Sequence, residues 1–532
     1  LNNESEQQGS ATAASGKKRG ILQSSLIVSS MTMLSRVMGL ARDVLFARYL
    51  GAEASADAFY IAFKIPNFLR RLFAEGAFAQ AFVPVLSEYR ARGSHAAVRQ
   101  FVDAIAGSLG SALIVITLLV VVAAPLVTAI FGMGFFLNNP EKFELTTSLL
   151  RITFPYLLLI SLTGFAGAIL NSYDRFAVPA FTPVLLNAVL IIAAVVVSPM
   201  LETPVYALAW GVVVAGVIQL LFQLPFLMRL GLLPHPRVDW GDESVRKVLK
   251  LMAPAMFGVS VGQINLLLDT ILASFLPDGS ITWLYFSDRL TELPLGVFGI
   301  GIATVVLPTL ARQHIDDVTQ FSKTLDWALR MILLIGLPAA LALAVLAEPI
   351  LFALFQYDNY RPEDVRMSSY SLRAYAIGLT AFMLIKVLAS GFFSRQDTRT
   401  PVRVGVIAMV ANMVLNLLFV VPLHYLWGIG HAGLALATSA SAFLNAGLLF
   451  HLLRKQKAYC PQSGWGRFAL RSLFANCMMV AVLLVGLTWA SDMVTVAWHT
   501  RIAEVLGLCG AGMAIYLACL WVSGLRLADL KA

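Results

Sequence analysis

Runs of twenty or more mostly apolar residues recur along this chain from Ile21 to Val522. That recurrence limits what the chain can fold into. A bilayer core is about 30 Å thick and takes ~20 helical residues to cross. No water in that core can satisfy backbone N–H and C=O groups, so spans are helices or closed barrels, and runs of this length are helices. Of the 532 residues, 58% are hydrophobic and 13% charged, against about 25% charged in a soluble domain. The sequence therefore predicts an all-α polytopic membrane protein. About fourteen spans are expected, among them helix 1 over 22–50, helix 2 over 57–90, helix 7 over 244–275, helix 8 over 281–312, helix 11 over 401–422, helix 12 over 430–454, helix 13 over 466–490 and helix 14 over 502–524.

The net charge is +9, but the basic residues fall in alternate loops. Arg90, Arg92 and Arg99 form one cluster; Arg229, Arg237, Arg246, Lys247 and Lys250 another; Arg454, Lys455 and Lys457 a third. The intervening loops, such as 51–55 and 277–280, are poor in them. That pattern marks topology, with both termini cytoplasmic, rather than a nucleic-acid partner. Residues 1–20, rich in Ser, Ala, Gln and Asn, are expected to be a disordered tail. The first apolar run shows no cleavable signal-peptide site.

The chain carries an internal duplication. FAQAFVPVLSEY (78–89) resembles IATVVLPTLARQ (302–313), and NSYDRFAVP (171–179) resembles FSRQDTRTP (393–401). The two pairs share nearly one offset along the chain. The expected organisation is an N-lobe over 21–230 (helices 1–6), a C-lobe over 231–455 (helices 7–12), and helices 13 and 14 over 456–532. Parallel repeats of this kind place a substrate site between halves that rock for alternating access.

Charges inside the spans point to that site. Arg36, Asp43, Lys64, Arg70, Arg71 and Glu75 would together cost on the order of 15 kcal/mol if unpaired and facing lipid. They are tolerable only around a polar cavity. At 100° per residue Asp57, Lys64, Asn67, Arg71 and Glu75 share one face of helix 2, and Arg71 and Glu75 are spaced to pair. Helix 8 supplies Asp288, Arg289 and Glu292 at the equivalent place in the second half. Arginine keeps its charge and offers a planar fork of donors suited to phosphate. Arginines on helices 1, 2 and 8 thus suggest an anionic substrate, although structural ion pairs are the competing explanation. Asp269 on helix 7, Asn412 and Asn416 on helix 11 and Thr438 on helix 12 bring hard oxygens that suit a small cation such as Na⁺. Inter-helix hydrogen bonding explains the same residues.

Other chemistry finds little support. The four cysteines lack metal-ligand spacing, the seven histidines are scattered, and no glycine-rich phosphate loop follows a strand. No catalytic residues and no enzymatic activity are expected.

The runs SSMTMLSRVMGLARD and DAFYIAFKIPNFLRRLFAEGAFAQAFVPVLSEY resemble the MurJ (MviN) family, the lipid II flippases of bacterial peptidoglycan synthesis. RITFPYLLLISLTGFAGAILNSYDRFAVPAFTPVLLN and SDRLTELPLGVFGIGIATVVLPTLA are similar to it as well. The resemblance implies fourteen helices in the fold shared with multidrug and polysaccharide exporters, in the bacterial inner membrane. It implies that Arg36, Arg42, Arg70 and Arg289 hold the substrate diphosphate, with Arg71 beside them. Ser35, Asp43, Asp57, Asn67 and Glu75 match further cavity and gate positions. Helices 13 and 14 are expected to hold the polyprenyl tail, and Asp269, Asn412, Asn416 and Thr438 match a Na⁺ site in some members, Asn416 standing for an acid. Lipid II, membrane lipids and the cell-wall synthesis machinery are the expected partners of a monomer. Against this stand a related exporter or flippase for another polyprenyl-linked saccharide or a small amphiphile such as an organic cation, a polyprenyl-diphosphate glycosyltransferase or ligase, and a noncatalytic scaffold. A cation exporter would want an acid-dominated cavity, a transferase a large outer loop with a catalytic carboxylate, and a scaffold would leave the buried charges unexplained.

Overall fold

The computed structural model of the protein describes residues 27–71, 78–316 and 318–525. All regular structure among the described residues is helical. Eleven of these helices, from His95–Val122 to Trp498–Val522, are long and apolar enough to cross a bilayer. Helices also occupy 27–50, Ala54–Arg70 and Glu243–Ala273, where the first, second and seventh spans are expected. These are richer in charge: the first carries Arg36, Arg42, Asp43 and Arg48, the last Arg246, Lys247 and Lys250.

Helix boundaries repeat along the chain. His95–Val122 and Val318–Val345 are equally long, so one offset relates both their starts and their ends. Pro140 and Pro362 open their helices at almost the same offset, as do Ala177 and Arg399. The pseudo-repeat read from two short motifs therefore extends through the helical framework.

The chain divides into two compact units. One holds the described residues of Leu1–Leu50, Ala58–Ile130 and Asn139–Ser260; the other holds Gly51–Asp57, Phe131–Asn138 and Val261–Ala532. In the first, Phe82 stacks on Phe101 at 5.5 Å and meets Phe165 edge-on at 5.1 Å. The buried amide nitrogens of Gln219 and Gln223 on Val205–Arg229 are both bonded, as a water-free interior favours. Gln219 Nε2 donates to Thr182 O at 3.0 Å, and Gln223 Nε2 to Thr182 Oγ1 at 2.9 Å.

In the second unit Pro362–Phe393 is the central helix, and it meets Gly430–Lys455 through small residues. A Cβ on Gly378 would lie 2.7 Å from Ser439 Cα, and Ser439 Oγ donates to Ala374 O at 2.7 Å. Small residues permit this approach, which supplies dispersion contacts that lipid cannot replace. The helices Trp465–Trp489 and Trp498–Val522 pack on Val318–Val345, where Tyr516 Oη donates to Leu334 O at 2.7 Å. Their entry is pinned by buried Asp326, which accepts from Tyr459 Oη and Trp465 Nε1, both at 2.7 Å.

Candidate functional site

Arg36 and Ser35 are half-buried on the helix 27–50, which runs unbroken through Gly39. One and a half turns on, Arg42 and Asp43 are 4% and 2% exposed. They form an adjacent pair. Arg42 Nε and Nη2 donate to Asp43 Oδ1 at 3.0 and 2.7 Å. Arg42 Nη1 donates to Asn187 Oδ1 at 3.0 Å, and Asn187 Nδ2 to the Ser35 carbonyl at 3.1 Å. A buried charge is sustained by a partner plus further hydrogen bonds, and Asn187 supplies these. The Arg42 fork is thus committed within its own unit, while Arg36 bonds no other described residue.

Asp57 is 1% exposed and accepts from three donors. They are Gly279 N at 2.8 Å, Thr282 N at 2.9 Å and Thr282 Oγ1 at 2.7 Å. These sit at the N-terminus of Ser280–Pro294, so Asp57 caps that helix from a distant part of the sequence. Along Ala54–Arg70, Lys64 and Asn67 are half-buried, and Arg70 Nε donates to Asn67 Oδ1 at 3.3 Å. Arg71 is exposed at the end of this described segment. Glu75, and with it the expected Arg71–Glu75 pair, lies outside the described residues.

On Ser280–Pro294 the Arg289 side chain is 36% exposed. Its Nη1 donates to Glu292 Oε2 at 3.0 Å and its Nε to Tyr285 Oη at 3.4 Å, with the guanidinium 5.4 Å from the Tyr285 ring centre. Asp288 is half-buried beside it. Immediately beyond Pro294 the helix widens into a π turn over Leu295–Gly299, a local irregularity that often marks functional positions.

The structure brings Asp269, Asn412, Asn416 and Thr438 together. Asn416 Nδ2 donates to Asp269 Oδ1 at 2.7 Å and to Asn412 Oδ1 at 2.8 Å; Thr438 Oγ1 lies 3.4 Å from Asp269 Oδ2. Turned over, the Asn412 amide gives up its bond from Asn416 and instead donates to Asn265 Oδ1 at 3.1 Å and accepts from Thr438 N at 3.2 Å. Asn416 Oδ1 is buried, and no donor among the described residues reaches it. An unmet acceptor beside a carboxylate and a hydroxyl is a donor set that fits a hard monovalent cation.

Sequence reasoning passed over Asn187, the partner of Arg42, and two repeat-related arginines. Arg373 stands about three turns into Pro362–Phe393, with Glu348 at 3.5 Å. Arg151 holds the same place in Pro140–Thr153, the matching helix of the first half. A basic residue at one depth in both halves was the available signal.

The family described as Lipid II flippase MurJ matches residues 46–504. The chain belongs to the lipid II flippase MurJ family. A probable lipid II flippase MurJ of Vibrio cholerae is 51% identical over 519 residues, covering 96% of this chain and 98% of the relative. The lipid II flippase MurJ of Burkholderia cenocepacia is 42% identical, over 94% and 97% of the two chains. A solved structure of lipid II flippase MurJ in an inward closed conformation superposes with a TM-score of 0.78, at 26% identity over 93% of this chain and 98% of that one. An inward-facing multidrug transporter of the MATE family shares the fold, with a TM-score of 0.67 at 15% identity over 81% and 98%. This is a transporter family and the chain is a multi-pass membrane protein. Arg36, Arg42 and Asp43 precede the MurJ match at residue 46. The Vibrio similarity leaves only 4% of the chain uncovered, too little to reach Arg36 from the N-terminus, so it takes all three in.

Proposed function

We propose that this protein moves lipid II, the undecaprenyl-diphosphate-linked MurNAc-pentapeptide-GlcNAc precursor, from the cytoplasmic to the periplasmic leaflet of the inner membrane. Both termini lie in the cytoplasm. The observation that carries the reading is the full-length MurJ likeness together with accessible guanidinium groups on spanning helices, Arg289 foremost. Arg289 is oriented by Glu292 and Tyr285 yet keeps a third of its surface open, as a diphosphate ligand requires. Arg36, Arg70 and Arg71 are its counterparts on the first two helices. Arg42 enters the clamp when its bond to Asp43 is exchanged for the diphosphate. Lys64 and Asn67 in the first unit, and Asp288 and Glu292 in the second, are further polar groups assigned to the transport path, and Ser35 anchors Asn187.

Rocking of two lobes completes the cycle. The polyprenyl tail stays in lipid or along the last two helices, whose outer faces expose Leu473, Phe474, Leu506 and Leu517. With the inside negative, carrying about two diphosphate charges outward is favoured by roughly 4.6 kcal/mol per 100 mV. That drive needs no ATP. Na⁺ held by Asp269, Asn412, Asn416 and Thr438 is a second energy source. The protein acts as a monomer beside the cell-wall synthesis machinery.

The test is depletion of the protein in cells, with lipid II accessibility read in each leaflet, and complementation by wild type or Arg289→Ala. Lipid II should collect on the inner face, and wild type should relieve this while Arg289→Ala should not. Unchanged export on depletion rejects the transport reading; full rescue by Arg289→Ala rejects the arginine clamp alone.

A further inference from the structure

One face of Pro362–Phe393 carries a ladder of charged and apolar groups that the transport reading leaves unused. At 100° per residue Glu363, Arg366, Tyr370, Arg373 and Ile377 fall within an arc of about 80°. All are exposed, Arg373 in part. The ladder is turned about 160° from Ser368, whose carbonyl accepts from Ser287 Oγ at 2.8 Å, on the helix that carries Arg289. It therefore lies on the far side of this helix from the arginine clamp.

The fold makes little use of these charges. Arg366 and Arg373 share one carboxylate, with Arg366 Nε 4.0 Å and Arg373 Nη2 3.5 Å from the two oxygens of Glu348. Both separations are longer than an N–H···O hydrogen bond, and the two side chains are 64% and 41% exposed. The guanidinium forks thus converge on one anion and still have donors to give. Glu363 forms no ion pair with a described residue. Nor does the helical framework require the arginine pair. The first half keeps Glu141 and Arg151 at the matching places but has Glu144 and Ser148 for Arg366 and Tyr370. Ala124–Phe131, the counterpart of the helix bearing Glu348, has no acid.

Depth gives the ladder its meaning. This helix has 32 residues and is about 48 Å long, against about 30 Å of hydrocarbon and 40–45 Å with the headgroups. Its first turns therefore stand among headgroups. Glu363 is outermost, Arg366 is about 4.5 Å further in and Arg373 about 15 Å, with Ile377 beyond them. The long Arg373 side chain points back toward the helix start, to the level of Arg366 and the interfacial Tyr370. From outside inward the order is acid, guanidinium pair, apolar surface. Phosphatidylethanolamine presents the complementary order of ammonium, phosphate and acyl chain. We infer that this face holds one phosphatidylethanolamine of the periplasmic leaflet. Its phosphate accepts from Arg366 and Arg373, its ammonium donates to Glu363, and a chain runs inward past Ile377. Choline lacks the N–H donors that Glu363 would accept, and a glycerol headgroup lacks the positive charge. The leaflet rests on the topology proposed above; headgroup recognition does not depend on lipid II transport.

Native mass spectrometry of the full chain in mild detergent, titrated with the dipalmitoyl forms of phosphatidylethanolamine, phosphatidylcholine or phosphatidylglycerol, tests this. Phosphatidylethanolamine should be retained about fivefold more tightly than either of the others, the upper end for an exposed ion pair. Glu363→Gln, an exposed and nearly isosteric change, should remove that preference without weakening phosphatidylglycerol. Arg366→Gln/Arg373→Gln should weaken all three lipids about tenfold, as loss of charge-assisted hydrogen bonds implies. Equal retention of the three lipids by the wild type overturns the inference, as does a preference that survives Glu363→Gln. So does undiminished binding to the folded arginine double variant, or displacement of the lipid by equimolar O-phosphoethanolamine, which has the headgroup without the chains. If the double variant fails to fold, Glu363→Gln alone decides. Lipid II translocation is scored separately, so its failure leaves this result standing.

Discussion

A buried arginine and its neighbouring aspartate set the terms at the scale of single residues. Arg42 and Asp43 are nearly inaccessible, and Asn187 completes their hydrogen bonding, so removing either one strands a buried charge, at a cost of about 3–5 kcal/mol. Removing both, with apolar replacements of similar size, is close to neutral. Arg42→Met and Asp43→Leu should therefore each lower the thermal melting midpoint in detergent, and the double variant should recover most of the loss without recovering lipid II translocation. A double variant as unstable as either single one would show that the pair is not the source of the effect. This pair also marks what the sequence could reveal. That Arg42 and Asp43 are buried charges was legible, because a charge in an apolar run has few places to go. That Asn187 completes the site, or that Asp57 caps a helix from the other half of the sequence, was not. Such partners are set by tertiary contacts, which leave no periodicity in the sequence.

Among elements, the crossing of Pro362–Phe393 on Gly430–Lys455 is a tight fit. Gly378 is there because the partner backbone occupies the space a side chain would need, with Ser439 Cα 2.7 Å from a Cβ. Without a hydrophobic effect between helices in lipid, the crossing depends on that approach. Gly378→Leu should separate the helices, lower the melting midpoint by several degrees and cut the yield of folded protein; Gly378→Ala should do the same less severely. An unchanged melting curve for Gly378→Leu would mean that the helices tolerate a wider crossing. Helix existence was readable from apolar length, whereas the starts at Pro140 and Pro362 were not. The charge-rich spans were harder to read as spans, since Arg36, Arg42 and Asp43 dilute the apolar signal of the first helix. The π turn beyond Pro294 had no sequence counterpart beyond the proline itself.

Across the whole molecule the duplication gives two related polar centres with different contents. Asp43 and Asp269 are related by almost the same offset as Asn187 and Asn412, and the helix starts Val205 and Gly430 share it. In the first half the guanidinium of Arg42 lies between the acid and the amide. In the second half Asn416 donates to Asp269, Thr438 stands beside it, and Asn416 Oδ1 has no donor among the described residues. One centre holds a tethered charge, and the other has the oxygen set to take one from solution. Anything that binds only the folded state stabilises it, by about 2.7 kcal/mol at a hundred times its dissociation constant. Na⁺ should therefore raise the melting midpoint of the purified protein at constant ionic strength, relative to choline. Asp269→Asn and Asn412→Ala should erase that shift, while the Arg42→Met/Asp43→Leu variant, altered only in the first half, should keep it. If Na⁺ and choline gave the same midpoint for the wild type, the second centre would be a hydrogen-bonded contact between helices, and the membrane potential would be left as the drive.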